Sequence, residues 1–428
     1  MLSKCDSTVR SIVAIPVIPA NCCGLCWNCV QYQRPRSRVR FWPREPDVAL
    51  LAPRNMRSNG RVRVLWISKA SVTASYRKKL VFLSRLGIDI AVITGDRWGS
   101  WQFEEMQADR EITIYRLPQA LSGRNHFHWY RRLAAAFHEF SPDLIHLDEE
   151  HYSFVSFQVA RLALRHHIPF VFQTWQNIYK QYPLPFSRFE SYVFAHAEAA
   201  IAGTETVRAV LWQKHFAKPV YIIPLGVDTD VFHADSNPSY RDRFGTANHW
   251  AIGFVGRLVP EKGVMDLAQA VIPLLSVYPN WQWMVAGSGP LEPVLRQTIS
   301  EVSDRVKIWP WLSTEDMAKF MNALDVLVVP SRTTSHWKEQ FGRVLIEAMA
   351  VKLPLIAYRS GEIPEVLDQA GLLVNEGDIA GLARTLEELY ASSDLQESLR
   401  IQGLSRVRDN FSQEHVAHRL FDLYHELL

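Results

Sequence analysis

Two carboxylates eight residues apart, Glu339 and Glu347, bracket a short turn (Phe341-Gly342-Arg343) and an apolar run from Val344 to Ala350. An ionised carboxylate only accepts hydrogen bonds and can take a pair of hydroxyl donors, so such acids suit sugar and ribose hydroxyls. An acid set into an apolar helix is costly to bury unless it is satisfied in that way. A helix starting at Phe341-Gly342 would also present free N–H groups and the positive end of its dipole, which favour phosphate. The same spacing equally fits an acid-capped first turn with the second acid in solvent, so other segments must decide. Upstream stand Gly253-Phe254-Val255-Gly256-Arg257-Leu258-Val259-Pro260-Glu261-Lys262-Gly263 and Val285-Ala286-Gly287-Ser288-Gly289-Pro290, and downstream Ser360-Gly361-Glu362-Ile363-Pro364-Glu365-Val366. Each is an apolar run ending in a glycine turn. Arg257 and Lys262 follow one run closely enough to meet a diphosphate there, Arg as a planar fork and Lys as a point charge. Either cation alone reads as a surface charge; four such loops in order do not.

Elements that would position these residues are legible as a βα alternation, which implies parallel sheets. Strands are expected at residues 62–67, 88–94, 144–147, 170–172 and 199–202, with a helix over 71–86 capped by Ser71. After a crossing at 224–232 the pattern restarts, with strands at 251–255, 283–286, 306–308, 326–329 and 355–357. The expected fold is α/β, two doubly wound Rossmann-like domains facing across a cleft, with ligands at the carboxyl ends of the strands.

The second half resembles the nucleotide-sugar domain of glycosyltransferase family 4, retaining enzymes of the GT-B fold (glycosyl transferases group 1). The resemblance rests on Gly256-Arg257-Leu258 with Lys262-Gly263, on Gly287-Ser288-Gly289-Pro290, on the two glutamates, on Gly361-Glu362-Ile363-Pro364-Glu365, and on Ile223-Pro224-Leu225-Gly226-Val227-Asp228 at the crossing. It is dense after Ile222 and thin before. It implies that Arg257 and Lys262 bind the donor diphosphate, Glu339 the sugar hydroxyls and Glu347 the ribose. Gly256, Gly287, Gly289, Phe341, Gly342 and Arg343 complete the implied donor site. It implies no cofactor and no metal: a nucleotide-diphosphate sugar is the donor substrate, and a glycan or glycolipid the acceptor. The implied domains are 61–225 (acceptor), 226–411 (donor) and a helix over 412–428 crossing back to the first.

The acceptor half departs from the family. Ser68-Lys69-Ala70-Ser71 stands where many members carry a glycine pair, and Trp175 stands about where many carry a histidine. Histidine-assisted chemistry is thus in doubt, but same-face retaining transfer needs no side-chain nucleophile. Candidate acceptor-side residues are Ser68, Glu149, Glu150, Trp175 and Gln176; Glu149 or Glu150 would orient a hydroxyl, unless the acids merely start a helix. Asp228 and Asp230 read as turn residues rather than metal ligands, and His166-His167 as surface residues.

Composition bounds the rest. A chain of 428 residues, 48% hydrophobic and 21% charged, is long enough for two buried cores. It contains no run of about 18 apolar residues that would span a bilayer. The first sixty residues hold all five cysteines and nine Lys+Arg against three Asp+Glu, leaving 38 against 41 elsewhere. The body is therefore net negative and lacks a nucleic-acid module. Cys23-x2-Cys26-x2-Cys29 has partial metal-knuckle spacing without a paired fourth ligand, and the prolines interrupt any signal-peptide core. Residues 1–60 are expected to be a disordered tail, with 1–55 upstream of a true start at Met56. Membrane contact is peripheral at most: residues 124–132 mix aromatic and basic side chains as an interfacial helix would, and Arg77-Lys78-Lys79 adds charge. The protein is expected in the cytoplasm or at the inner membrane face, in polysaccharide or cell-envelope synthesis by family association. Another GT-B enzyme (an epimerase or hydrolase) and a catalytically silent binding protein remain alternatives.

Overall fold

The computed structural model of the protein describes residues 60–428. The expectations for the amino-terminal segment, including its disorder, cysteines and start site, lie outside the described residues. Seven parallel strands form the first sheet: β1 Arg63–Ile67, β2 Asp89–Thr94, β3 Thr113–Arg116, β4 Leu144–Leu147, β5 Phe170–Thr174, β6 Ala199–Ala202 and β7 Val220–Ile222. Six form the second: β8 Trp250–Val255, β9 Trp281–Ala286, β10 Val306–Trp309, β11 Val326–Val329, β12 Leu355–Tyr358 and β13 Leu372–Val374. Their orders are β7-β6-β5-β4-β1-β2-β3 and β10-β9-β8-β11-β12-β13. Helices cover both faces of each sheet, so central strands such as β4 and β11 are buried along their whole length. The chain reverses direction across each sheet between β1 and β4 and between β8 and β11, which opens a crevice at those strand ends.

Both doubly wound sheets are as expected. The strands not foreseen, β3, β7 and β13, are edge strands of three or four residues with partly exposed side chains; β3 is mixed in polarity, and β7 and β13 are apolar but only three residues long. The first helix differs in its start. A 3₁₀ turn at Lys69–Val72 precedes the helix Ala74–Arg85; Ser68, not Ser71, supplies the capping oxygen, accepting from Ala70 N, and Ser71 is buried. Residues 124–132 form no helix: they turn and then pair, Trp129–Tyr130 against Gln119–Ala120.

Nor do Arg77-Lys78-Lys79 make a charged surface. Arg77 is fully buried, its guanidinium donating to both oxygens of Asp109 (2.8 and 2.7 Å) and to Ser71 O (2.6 Å). Lys78 pairs with Asp230 at 2.8 Å, and Lys79 is buried. No helix among the described residues is long and apolar enough to cross a membrane.

Two crossings join the halves side by side. Val227 N donates to Phe411 O (2.7 Å) and Gln413 N to Val227 O (3.1 Å). The last helix, Gln413–Leu427, capped by Ser412 Oγ, then lays Val416, Leu420 and Tyr424 into the core that holds Val64, Trp66 and Val171 of the first sheet. There the Tyr424 hydroxyl meets Nδ1 of His146 at 2.8 Å, and the imidazole stacks on Trp66 with ring centroids 3.6 Å apart. Burial keeps His146 well below its usual pKa, so it stays neutral and able to share that bond. Tyr424→Phe is expected to cost about 1 kcal/mol in urea unfolding through the orphaned imidazole nitrogen; unchanged stability would mean the bond contributes nothing to docking the helix.

Candidate active site

On the second sheet the glycine loops lie flat on one another. Gly256 N donates to Ala286 O (3.1 Å), Gly287 N to Trp309 O (3.0 Å) and Leu258 N to Ser288 O (2.9 Å). A β-carbon on Gly287 would fall 1.9 Å from Gly256 O, and one on Gly289 2.5 Å from Leu258 O, so close backbone approach is what demands glycine here. Arg257, at the tip, is exposed and makes no side-chain hydrogen bond or ion pair with the described residues. Lys262 closes the turn Pro260–Lys262. Gly263 follows with φ +67°, where a β-carbon would meet Pro330 O at 1.8 Å.

Glu339 sits on the loop after β11, across the crevice from Lys262. Lys262 Nζ donates to its Oε2 at 2.6 Å and Ser331 Oγ to the same oxygen at 2.9 Å, while Oε1 carries no hydrogen bond with the described residues. The Lys262 ammonium also lies 5.0 Å from the centre of the Trp337 ring. Backbone contacts fix the loop: Glu362 N (3.2 Å) and Asn177 Nδ2 (3.0 Å) both donate to Glu339 O. A β-carbon on Gly361 would come within 2.1 Å of that oxygen. The helix Arg343–Ala350 begins at Gly342 in the left-handed region (φ +77°) with no side-chain cap, so its amino end stays open. Glu347, one turn in, is held by Arg343 Nε at 2.7 Å; burial raises its pKa although Arg343 opposes the shift.

The first sheet supplies the facing wall. Ser68 Oγ donates to Asp148 Oδ2 at 2.8 Å. Glu149 is fully enclosed, accepting from Lys69 N (2.7 Å), from the Lys69 ammonium and from His128 Nε2 (3.4 Å). Burial pushes its carboxyl up, but the Lys69 ammonium and His128 more than reverse this and hold it at about 2. The acids do not open a helix, which starts only at Phe154 with Ser153 as cap. Of the two glutamates, Glu150 is the freer: its Oε2 accepts from Thr174 Oγ1 at 3.0 Å. Trp175 packs edge-on to Phe341 across the crevice and covers Gly203, where a β-carbon would lie 1.9 Å from its ring. Gln176 is buried, bonded to Ile178 O, and its Oε1 has no partner among the described residues.

A cavity of about 370 Å³ joins the two walls, lined by Lys69, Glu149, Glu150 and Trp175 on one side and Glu339, Phe341, Gly342 and Arg343 on the other. Ser68, Gln176, Gly256, Arg257, Lys262, Gly287, Gly289 and Glu347 do not line it, although Lys262 is joined to it through Glu339. Arg343, assigned to the donor side, also reaches Ser75 Oγ (3.5 Å) and stacks over Tyr76 (5.5 Å). Sequence reasoning missed Lys69, Lys79, Asn177 and Ser331. Lys69 was detectable as a cation just past the first strand, but nothing in the sequence marks Asn177. Asp228 acts in its turn, accepting from Asp230 N at 3.1 Å, and no group of three or more His, Cys, Asp or Glu among the described residues is arranged to hold a metal.

Two doubly wound Rossmann sheets, the second glycine-looped with a Lys–Glu pair at its switch point, define a class, and the chain belongs to it: the group 1, family 4 glycosyltransferases. Residues 250–392 match the model described as glycosyl transferases group 1 and residues 80–231 that of Glycosyltransferase Family 4, together more than half of the chain. A Corynebacterium glutamicum protein described as GDP-mannose-dependent monoacylated alpha-(1-6)-phosphatidylinositol monomannoside mannosyltransferase is 31% identical over 208 residues, 47% of this chain and 55% of that protein. The chain thus spans about half the length of the curated relatives it matches. Sucrose-phosphate synthase from Thermosynechococcus elongatus superposes with TM-score 0.65 at 20% identity, over 86% of this chain and 99% of that one. HepE from Anabaena in complex with UDP does so with TM-score 0.66 at 17% identity, over 85% and 99%. The fold is GT-B.

The Glu149 environment makes a pH prediction. Its folded pKa lies below the ordinary carboxylate value, so its contribution is fully present above about 4.5 and is lost as pH falls toward 2. Glu149→Gln should flatten the acid limb of stability between those values, a difference of at most about 3 kcal/mol. Denaturant titrations at pH 3 and pH 6 measure it; an unchanged slope with pH would remove Glu149 as its source.

Proposed function

We propose that the protein is a retaining glycosyltransferase that moves a hexose from a nucleotide-diphosphate sugar to a glycan or lipid-linked glycan acceptor. Residues 226–411 hold the donor, 61–225 the acceptor, and the helix over 412–428 ties the two together. The carrying observation is the contact of Lys262 with Glu339 and Ser331 at the switch point, beside an open helix amino end. A buried carboxylate neutralised by one lysine is a placeholder: a diphosphate arriving beside the exposed Arg257 would draw Lys262 off Glu339. Glu339 then exchanges its ammonium for the hydroxyls of the donor sugar. Glu347 receives the ribose hydroxyls, and the glycine loops let the backbone approach the phosphates.

In this reading the acceptor oxygen attacks the anomeric carbon on the face from which the diphosphate leaves. The carbon–oxygen bond to phosphate breaks, and the departing phosphate oxygen takes the acceptor proton. Arg257 and Lys262 stabilise the charge that develops, so the rate comes from positioning and electrostatics with no side-chain nucleophile. Trp175, in place of a polar side chain near that carbon, supplies a flat apolar wall; Glu150 orients the acceptor hydroxyl. A glycolipid acceptor accords with the phosphatidylinositol monomannoside in the name of the Corynebacterium relative, with membrane contact at most peripheral.

Melting curves with a panel of nucleoside diphosphates and nucleotide sugars test the donor site. The matching nucleotide at ~100 times its dissociation constant should add about 2.7 kcal/mol, and Arg257→Ala should abolish the shift. With a transferring pair in hand, Lys262→Ala should lower kcat about 10²–10³-fold, and product NMR should show retained anomeric configuration. A folded sample that responds to no nucleotide would overturn the reading.

A further inference from the structure

One buried cation in the cavity has no counter-ion. Lys79 is 7% exposed, and its ammonium makes no hydrogen bond with the described residues and has no carboxylate oxygen within 4.0 Å. What it does have is the face of Trp66, with the nitrogen 4.7 Å from the ring centre. It lines both the main cavity and a narrow extension of it formed by Ser75, Tyr76, Leu225, Gly226, Arg343 and Gln413. The other lysine lining that space, Lys69, is matched by Glu149, and Lys262, joined to it through Glu339, is matched by that glutamate. The carboxylates of the wall are engaged as well, Asp148 by Ser68, Glu149 by Lys69 and His128, Glu150 by Thr174. Asp148 acts on Lys79 only from beyond ion-pair distance, and burial leaves the lysine below its ordinary pKa. An unpaired ammonium in such a site is costly, and an anion supplied from outside would remove that cost.

We propose that Lys79, with Arg343 and the Tyr76 hydroxyl beside it, is the subsite for an oxyanion carried by the acceptor, a phosphate or carboxylate next to the hydroxyl that is glycosylated. The position supports this role. Lys79 comes from the first-sheet helix Ala74–Arg85, on the acceptor wall, whereas Arg257 and Lys262 belong to the second sheet. Arg343 reaches over from the donor half to Ser75 and Tyr76, so the anion would also bridge the halves when the cleft fills. The unpaired Oε1 of Gln413 in the same extension can take a neighbouring hydroxyl. The inference deepens the proposed function: it names a substrate class for the acceptor and rests on that reading for the word acceptor, though the anion site itself does not.

The test uses the full chain with inorganic phosphate, a hexose 6-phosphate and glucuronate as probes. Phosphate should protect Lys79 of the wild type from reductive methylation, read peptide by peptide by mass spectrometry. Lys79→Met should weaken phosphate binding at least about tenfold while keeping the wild-type melting shift with the matching nucleoside diphosphate. Hexose phosphate binding tighter than glucuronate assigns the anion to a phosphorylated acceptor; the reverse order assigns it to a uronate. Methylation of Lys79 unaffected by all three probes overturns the proposal whether or not the variant folds. So does loss of the nucleotide shift in a folded Lys79→Met protein, which would make Lys79 part of the donor site. Protection of Lys79 in a protein that responds to no nucleotide would keep the anion site and refute the transferase reading alone.

Discussion

A carboxylate placed in a crevice between two low-dielectric sheets must be neutralised, and both halves of this molecule are arranged around that requirement. Glu149 stands at the end of β4 and Glu339 after β11, each at the point where its sheet reverses direction. Each is met by a lysine from the loop after the adjoining first strand of its sheet, Lys69 after β1 and Lys262 after β8. The backbone follows the charge. Lys69 is drawn into a 3₁₀ turn that delays the first helix to Ala74, and Lys262 sits on a turn completed by a left-handed glycine packed against Pro330. An ion pair of this kind adds little net stability; its consequence is that removing one partner exposes the other.

The two pairs differ in how replaceable they are. Glu149 is surrounded by a backbone amide, an ammonium and an imidazole, and its ammonium partner is itself largely enclosed. That makes it a fixed strut. Glu339 is held on one oxygen and open on the other among the described residues, with an uncapped helix starting three residues on, at Gly342. A ligand that brings both anionic and hydroxyl groups can rearrange the second pair while leaving the first intact. The first half is further coupled to that rearrangement through Asn177 on Glu339 O and Gln340 Nε2 on Trp175 O at 2.8 Å, so a shift of the Glu339 loop is felt at the facing wall of the first half.

How much of this was legible in the sequence divides along a physical line. Apolar runs buried on both faces announce themselves, and β4, β6 and β11 are found at their observed ends; β3, β7 and β13, half wet at the edges, carry no such signal. The glycine loops of the second half are visible because close backbone approach admits no substitute, as at Gly287 and Gly289. Charges were the weak point. Arg77-Lys78-Lys79 reads as solvated helix surface, yet Asp109 and Asp230, far along the chain or in the other half, take the first two, and the third turns inward over Trp66. Residues 124–132 likewise have the composition of an amphipathic helix, but pairing with Gln119–Ala120 and burial of His128 and Tyr130 override it. Long-range partners decide these cases, and no window of sequence contains them.

The departure at Trp175 follows the same logic of mutual accommodation. Its ring occupies the space above Gly203 so fully that any side chain there would collide, and its edge meets Phe341 from the opposite half. A polar residue at that position would leave a void over Gly203 and lose the cross-cleft contact, both unfavourable in a packed interior. At this position the crevice therefore presents an apolar wall in place of a titratable group. In the proposed reaction Trp175 offers neither acid nor base, so the proton passes between acceptor and leaving group directly. In that proposal Glu150 on one side and the Lys262–Glu339 pair on the other orient the reactants rather than exchange protons with them.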